Sequence, residues 1–157
     1  LRPLKSLTIV GNLLRARILR LMMSEKWYKE GLRFGCTECG KCCTGSPGYV
    51  WVSDKEIEEI AQFLQISFEE CVKKYTRKVA GRLSLLEDYR SYDCVFLKDK
   101  NCQIYSTRPK QCRKFPWWPE NLKTKKDWEE EAIRCEGINH ADAPLISFGE
   151  IEKQLDS

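Results

Sequence analysis

A chain of 157 residues, 42% hydrophobic and 32% charged, can bury a core of its own and contains no low-complexity tract. A net charge of +4 falls short of the clustered basic excess that marks dedicated nucleic-acid binders. The unusual quantity is nine cysteines. An odd count at tight spacings, in a chain long enough to fold unstapled, argues against a secreted disulfide framework and for thiols that hold a metal in a reducing compartment.

The first 24 residues are apolar and basic. Leu7, Val10, Leu14, Ile18, Leu21 and Met22 fit one face of a helix, punctuated by Arg2, Lys5, Arg15, Arg17 and Arg20. No stretch reaches the roughly 18 apolar residues that span a bilayer. Residues 1–24 therefore read as a basic amphipathic helix or extension, docked on the domain, touching a membrane surface or left from a targeting peptide. Residues 25–157 read as a single cysteine-cluster metal-binding domain.

Arg33 to Gly48 is a glycine-spaced loop crowded with cysteines, followed by a short strand at Tyr49 to Val52. Ser53 and Glu56 form a capping-box pattern, and Ile57, Ile60, Ala61 and Leu64 follow at helical spacing. Ser67 and Glu70 repeat the pattern before a second helix with Phe68, Cys71, Val72 and Tyr75 on one side. Arg82 to Leu86 is a further strand. Cys94 to Leu97 and Cys102 to Tyr105 are expected to be the arms of a hairpin joined through residues 98–101. Thr107 is expected to cap a short helix with Pro109 in its first turn, carrying Cys112 and stopping before Pro116. Thr124 and Asp127 start another, through Trp128 to about Arg134, with Glu129, Glu130 and Glu131 on a solvated face. Ser147 and Glu150 mark a last short helix. The fold class is α+β: a small, irregular, metal-stabilised domain of short helices, a β-hairpin and cysteine-rich loops.

Cys71 has an ordinary place on a helix's core face. Setting it aside leaves Cys36, Cys39, Cys42, Cys43, Cys94, Cys102, Cys112 and Cys135, enough for two four-thiolate sites. The first four read C-x-x-C-x-x-C-C, and a C-x-x-C step on a glycine-bearing loop lets two sulfurs reach one ion about 2.3 Å away. Adjacent side chains in extended backbone point apart. Cys42 and Cys43 are therefore expected to feed two neighbouring sites, or two metals of one polynuclear centre. Zinc and an iron–sulfur cluster both accept such a donor set, and spacing alone does not separate them. The lone His140 is read as a surface residue.

In order, the motifs are Cys36-x-x-Cys39-Gly40-x-Cys42-Cys43, Cys94-x-Phe96-Leu97, Cys102-x-Ile104-Tyr105-x-x-Arg108-Pro109-x-x-Cys112-Arg113-x-Phe115-Pro116 and Cys135-x-Gly137. This series resembles the YkgJ-type cysteine-cluster family, a zinc- or iron-chelating domain named for its CxxCxxCC motif. The resemblance covers roughly Trp27 to Asn139. The similar cysteine motif of flagellin lysine methylase implies the iron–sulfur option without carrying that activity to this chain.

Arg108 and Arg113 flank Cys112, where guanidinium groups would offset the excess charge of thiolates. Tyr105 could donate to a sulfur. These three are the expected cofactor-adjacent residues. Trp51, Trp117 and Trp118 with Lys110, Arg113, Lys114, Lys123, Lys125 and Lys126 offer a weaker nucleic-acid reading, and core packing is the preferred account. Neither a hydrolase triad nor a glycine-rich phosphate loop occurs. The preferred function is a metal-binding protein whose centre is structural or a reservoir. The alternatives are an iron–sulfur redox enzyme or electron carrier, and a metal-stabilised interaction module with a protein partner. The expected compartment is cytoplasmic, with a plastid as the alternative.

Overall fold

The computed structural model describes residue 18 and residues 26–157, and residues 26–157 form three short antiparallel sheets and six α-helices. The expected basic helix over residues 1–24 lies outside the described residues, apart from Ile18. Strand β1 (Leu32–Arg33) precedes the cysteine loop, and β2 (Trp51–Val52) follows it. Helix α1 (Asp54–Leu64) starts at Ser53, whose hydroxyl accepts from the Glu56 amide while the Glu56 carboxylate accepts from the Ser53 amide. This reciprocal cap satisfies two otherwise orphaned donors. Helix α2 (Phe68–Tyr75) is capped by Ser67 accepting from the Glu70 amide, and Cys71 is its buried residue.

At Thr76 the chain passes directly from α2 into β3 (Thr76–Val79), a strand the sequence reading did not anticipate. It turns at Ala80 and Gly81 into β4 (Arg82–Leu85). Both turn residues have positive φ, the geometry of a two-residue hairpin. The resulting sheet has the order β2-β4-β3. The expected cysteine hairpin forms as β5 (Leu97–Lys98) and β6 (Asn101–Cys102), with Leu97 opposite Cys102. Asp99 and Lys100 alone make the turn, both at positive φ, so the ladder takes in Lys98 and Asn101, while the second arm ends at Cys102 before the 3-10 turn at Tyr105–Thr107.

Helix α3 (Lys110–Lys114) begins at Pro109, not at Thr107, which ends a separate 3-10 turn. A short α4 (Pro119–Leu122) was not foreseen; α5 (Lys125–Arg134) is capped by Thr124 as expected. The chain then forms β7 (Leu145–Ile146), which pairs with β1, and α6 (Phe148–Asp156), which carries a full capping box from Ser147 and Glu150.

Among the described residues the apolar side chains form two clusters. One gathers Leu32, Trp117, Leu122, Trp128, Ile138, Phe148 and Ile151, with Cys135 at its margin. Trp117 stacks on Trp128 with centroids 5.4 Å apart. The other gathers Val52, Ile57, Ile60, Cys71, Leu85, Phe96 and Ile104, with Cys94 and Cys102 packed against it. Among the described residues, no helix is long and apolar enough to cross a membrane.

Candidate metal centre

A cavity of about 60 Å³ lies where the two clusters meet. Phe34, Phe115 and Cys135 border it from the first cluster, and Leu85, Phe96, Ile104, Cys94 and Cys102 from the second. All eight cysteines of the expected set line it: Cys36, Cys39, Cys42, Cys43, Cys94, Cys102, Cys112 and Cys135. Cys71 does not; it is 1% exposed within the second cluster, as its helical register implied.

Local hydrogen bonding explains the convergence of segments far apart in sequence. The Gly35 amide donates to the Gly137 carbonyl (3.1 Å), and the Asn139 amide to the Arg33 carbonyl (2.9 Å). These bonds lay the Cys36 loop along the Cys135 turn. Glu136 reinforces them, accepting from Thr37 (3.0 Å) and pairing with Lys41 (3.1 Å). A Cβ at Gly137 would run into the Gly35 carbonyl oxygen, and one at Gly40 into the carbonyl of Lys100. These two glycines let the cysteine loop approach the Cys135 turn and the β5–β6 hairpin at backbone distance. The Cys94 amide donates to the Cys43 carbonyl at 2.8 Å, joining the loop to the second cluster.

Cys42 and Cys43 lie in a 3-10 turn (Lys41–Cys43), not in extended backbone. Their sulfurs consequently come to 3.8 Å of each other, which corrects the expectation that they point apart. Two ligands on one tetrahedral ion with bonds of about 2.3 Å would stand about 3.8 Å apart, so the pair fits a shared ion. The contact also shapes the thiols' acidity. The hydrogen bond between them holds Cys42 below, and Cys43 far above, the usual thiol range. Burial, then the charges of Cys94, Cys42 and Cys102, push Cys112 up to about 12. Burial also raises Cys94, Cys102 and Cys135. Backbone amides two residues on offset part of this: Phe96 for Cys94, Ile104 for Cys102 and Gly137 for Cys135. The recurring Cys-x-residue spacing therefore supplies an N–H to a sulfur three times, an arrangement that stabilises thiolates.

The donor set fits a soft metal. Eight thiols surround a space larger than one water requires, with mostly apolar walls. Among the described residues, no three His, Cys, Asp or Glu side chains already stand in ligating geometry around one point. Tyr105 and Arg108 line the cavity with the cysteines, and the Arg108 guanidinium lies 3.5 Å from the centre of the Tyr105 ring. Arg113 does not line it. It donates to the Arg108 carbonyl and otherwise faces a neighbouring groove. His140 is exposed, accepting from the Asp142 amide.

Two residues escaped the sequence reading. Glu136 anchors the loop, and its position next to Cys135 is the only local signal. Glu131 is half-buried, and burial pushes its carboxyl up against the offsetting charge of Arg134. It does not share the solvated face of Glu129 and Glu130, which pair with Lys125 and Lys126. Its i, i+4 relation to Cys135 was the available clue.

A family model described as "CxxCxxCC: Putative zinc- or iron-chelating domain" matches residues 35–136. Uncharacterized protein MJ0661 of Methanocaldococcus jannaschii is 36% identical over 92 residues, covering 57% of this chain. The chain spans about half of that relative's length, 48%. No solved structure matches the chain.

Proposed function

The chain belongs to the CxxCxxCC family of zinc- or iron-chelating domains, and from that premise we propose that it is a metal-binding protein whose centre joins its two hydrophobic clusters. The observation that carries this reading is the position of all eight cysteines on one cavity between those clusters. The ligands are Cys36, Cys39, Cys42, Cys43, Cys94, Cys102, Cys112 and Cys135, and they hold zinc or an iron–sulfur cluster. Arg108 and Tyr105 stand beside the thiolates, where the guanidinium offsets excess negative charge. A reducing compartment, the cytoplasm, suits a chain in which all nine cysteines are free thiols.

The deciding experiment is anaerobic purification followed by an absorption spectrum and by iron, zinc and acid-labile sulfide analysis. Zinc in a colourless sample supports a thiolate–zinc scaffold. Iron with sulfide and a visible chromophore supports a cluster. A purified, folded protein with neither would sink the reading.

A second reading is redox. Cys36 and Cys42 are exposed among the cavity-lining thiols, which would give a cluster an edge that a partner can reach. A reversible one-electron reduction, followed by electron paramagnetic resonance, would favour it. A centre that cannot be reduced would exclude it.

A further inference from the structure

A groove separate from the cysteine cavity measures about 1310 Å³ and runs between the β2-β4-β3 sheet, the start of α1, and α3. That exceeds the roughly 300–1,000 Å³ of small-molecule pockets and suits a macromolecular segment. Its lining includes Lys55, Lys78, Arg82, Lys110, Arg113 and Lys114, drawn from four parts of the chain. Against these six cations stand the carboxylates of Asp54, Glu56 and Glu59. Glu56 is already engaged by Ser53 and by the Lys110 amide. Among the described residues, Lys55, Lys78 and Lys110 pair with no carboxylate. Between the cations lies apolar surface from Val52, Phe68, Val72 and Leu83.

Charge alone would suit nucleic acid as well as an acidic protein segment. The aromatic geometry separates them. Sequence-independent binding of single strands needs open ring faces for the bases. Tyr49 stacks on Trp51 (5.0 Å), with Arg77 over Tyr49 (5.1 Å) and Arg82 over Trp51 (4.1 Å). Each ring of the stack thus already carries a guanidinium group. Trp117 is buried against Trp128, and Trp118 gives its N–H to the Gln111 carbonyl and packs edge-on to Phe115. Among the described residues lining the groove the indole rings are thus already engaged, and Phe68 is a single ring, short of the row of platforms that successive bases need, whereas cations beside apolar surface match carboxylates interleaved with apolar side chains.

We propose that this groove binds an acidic peptide segment of a partner protein, its carboxylates on Lys55, Lys78 and Lys110 and its apolar residues on the floor between them. The test uses the protein as purified, with its metal. Fluorescence anisotropy would be measured with three labelled probes of about a dozen units: a Glu/Leu peptide, a Glu/Ser peptide and an oligo-dT strand. The Glu/Leu peptide should bind most tightly and weaken with salt. The double variant Lys55→Glu/Lys78→Glu, exposed at both positions, should weaken it by about fivefold or more. The control Lys98→Glu, which does not line the groove, should not change it. Thermal melts establish that both proteins remain folded. Oligo-dT binding as tightly as the Glu/Leu peptide would overturn the proposal in favour of nucleic acid. Absence of peptide binding, or equal binding by the charge-reversed and control variants, would overturn it outright.

Discussion

Cys39 and Cys71 are chemically identical and sit in opposite settings, one on the cysteine cavity and one inside an apolar cluster. Cys39→Ser removes a proposed ligand and should lower metal content and solubility together. Cys71→Ser should leave metal content unchanged and cost about 1–2 kcal/mol, the penalty of a buried hydroxyl without a partner. Metal analysis beside denaturant melts distinguishes the two; equal metal loss would place Cys71 among the ligands. The glycines allow a second contrast. A Cβ at Gly137 meets the Gly35 carbonyl, so Gly137→Ala should push the Cys135 turn off the loop and cost about 2 kcal/mol. A Cβ at Gly149, inside α6, meets nothing within 4 Å. Gly149→Ala should therefore stabilise by about 0.5–1 kcal/mol in the same melts.

At the scale of elements, Glu56 joins two helices. One carboxylate oxygen completes the α1 cap on Ser53, and the other accepts from the Lys110 amide at 2.7 Å, at the start of the helix that carries Cys112. Burial works against ionisation there, but hydrogen bonds from Lys110 and Ser53 outweigh it and hold the carboxyl below the usual range. A depressed carboxyl stabilises the fold above its unfolded value, about 4.3. That contribution is lost as pH falls through the lower folded value. Glu56→Ala should cost about 2 kcal/mol at neutral pH. Its stability should also fall less steeply than the wild type's between about pH 5 and 3. Parallel acid-side slopes in urea titrations would show that Glu56 titrates no differently in the folded state.

For the whole molecule, the proposed function assigns the metal the place of a continuous core. Two separate apolar clusters, each supplied by short elements, meet at a cavity walled by thiols. Structural zinc contributes about 10–16 kcal/mol of apparent binding free energy in small domains, comparable with or larger than the net stability of a typical domain. Chelation should therefore abolish cooperative melting and open the cavity thiols to alkylation, read by circular dichroism and mass spectrometry. An unchanged melt after metal removal would argue that the centre is functional, not structural, and favour the redox reading.

Local chemistry was legible from the sequence. Ser53, Ser67, Thr124 and Ser147 mark helix starts because caps are local hydrogen-bonding problems. Cys71 separates from the other cysteines because helical periodicity assigns it to a core face. The cysteine motifs carried the family because their spacing fixes which amides can reach which sulfurs. Other features depended on contacts between distant segments. Strand β3 forms because its partner β4 waits across a two-residue turn. The convergence of Cys42 and Cys43 follows from a 3-10 turn that adjacency in sequence does not reveal. Arg113 leaves the cavity, and Glu136 locks the loop, only once the backbone is placed. The sequence by itself determined which thiols are available and where the four capped helices start, since both follow from near-neighbour chemistry. Only the tertiary structure decided that those thiols share one cavity between two cores, because that depends on pairings between residues up to about a hundred positions apart, such as Gly35 with Gly137.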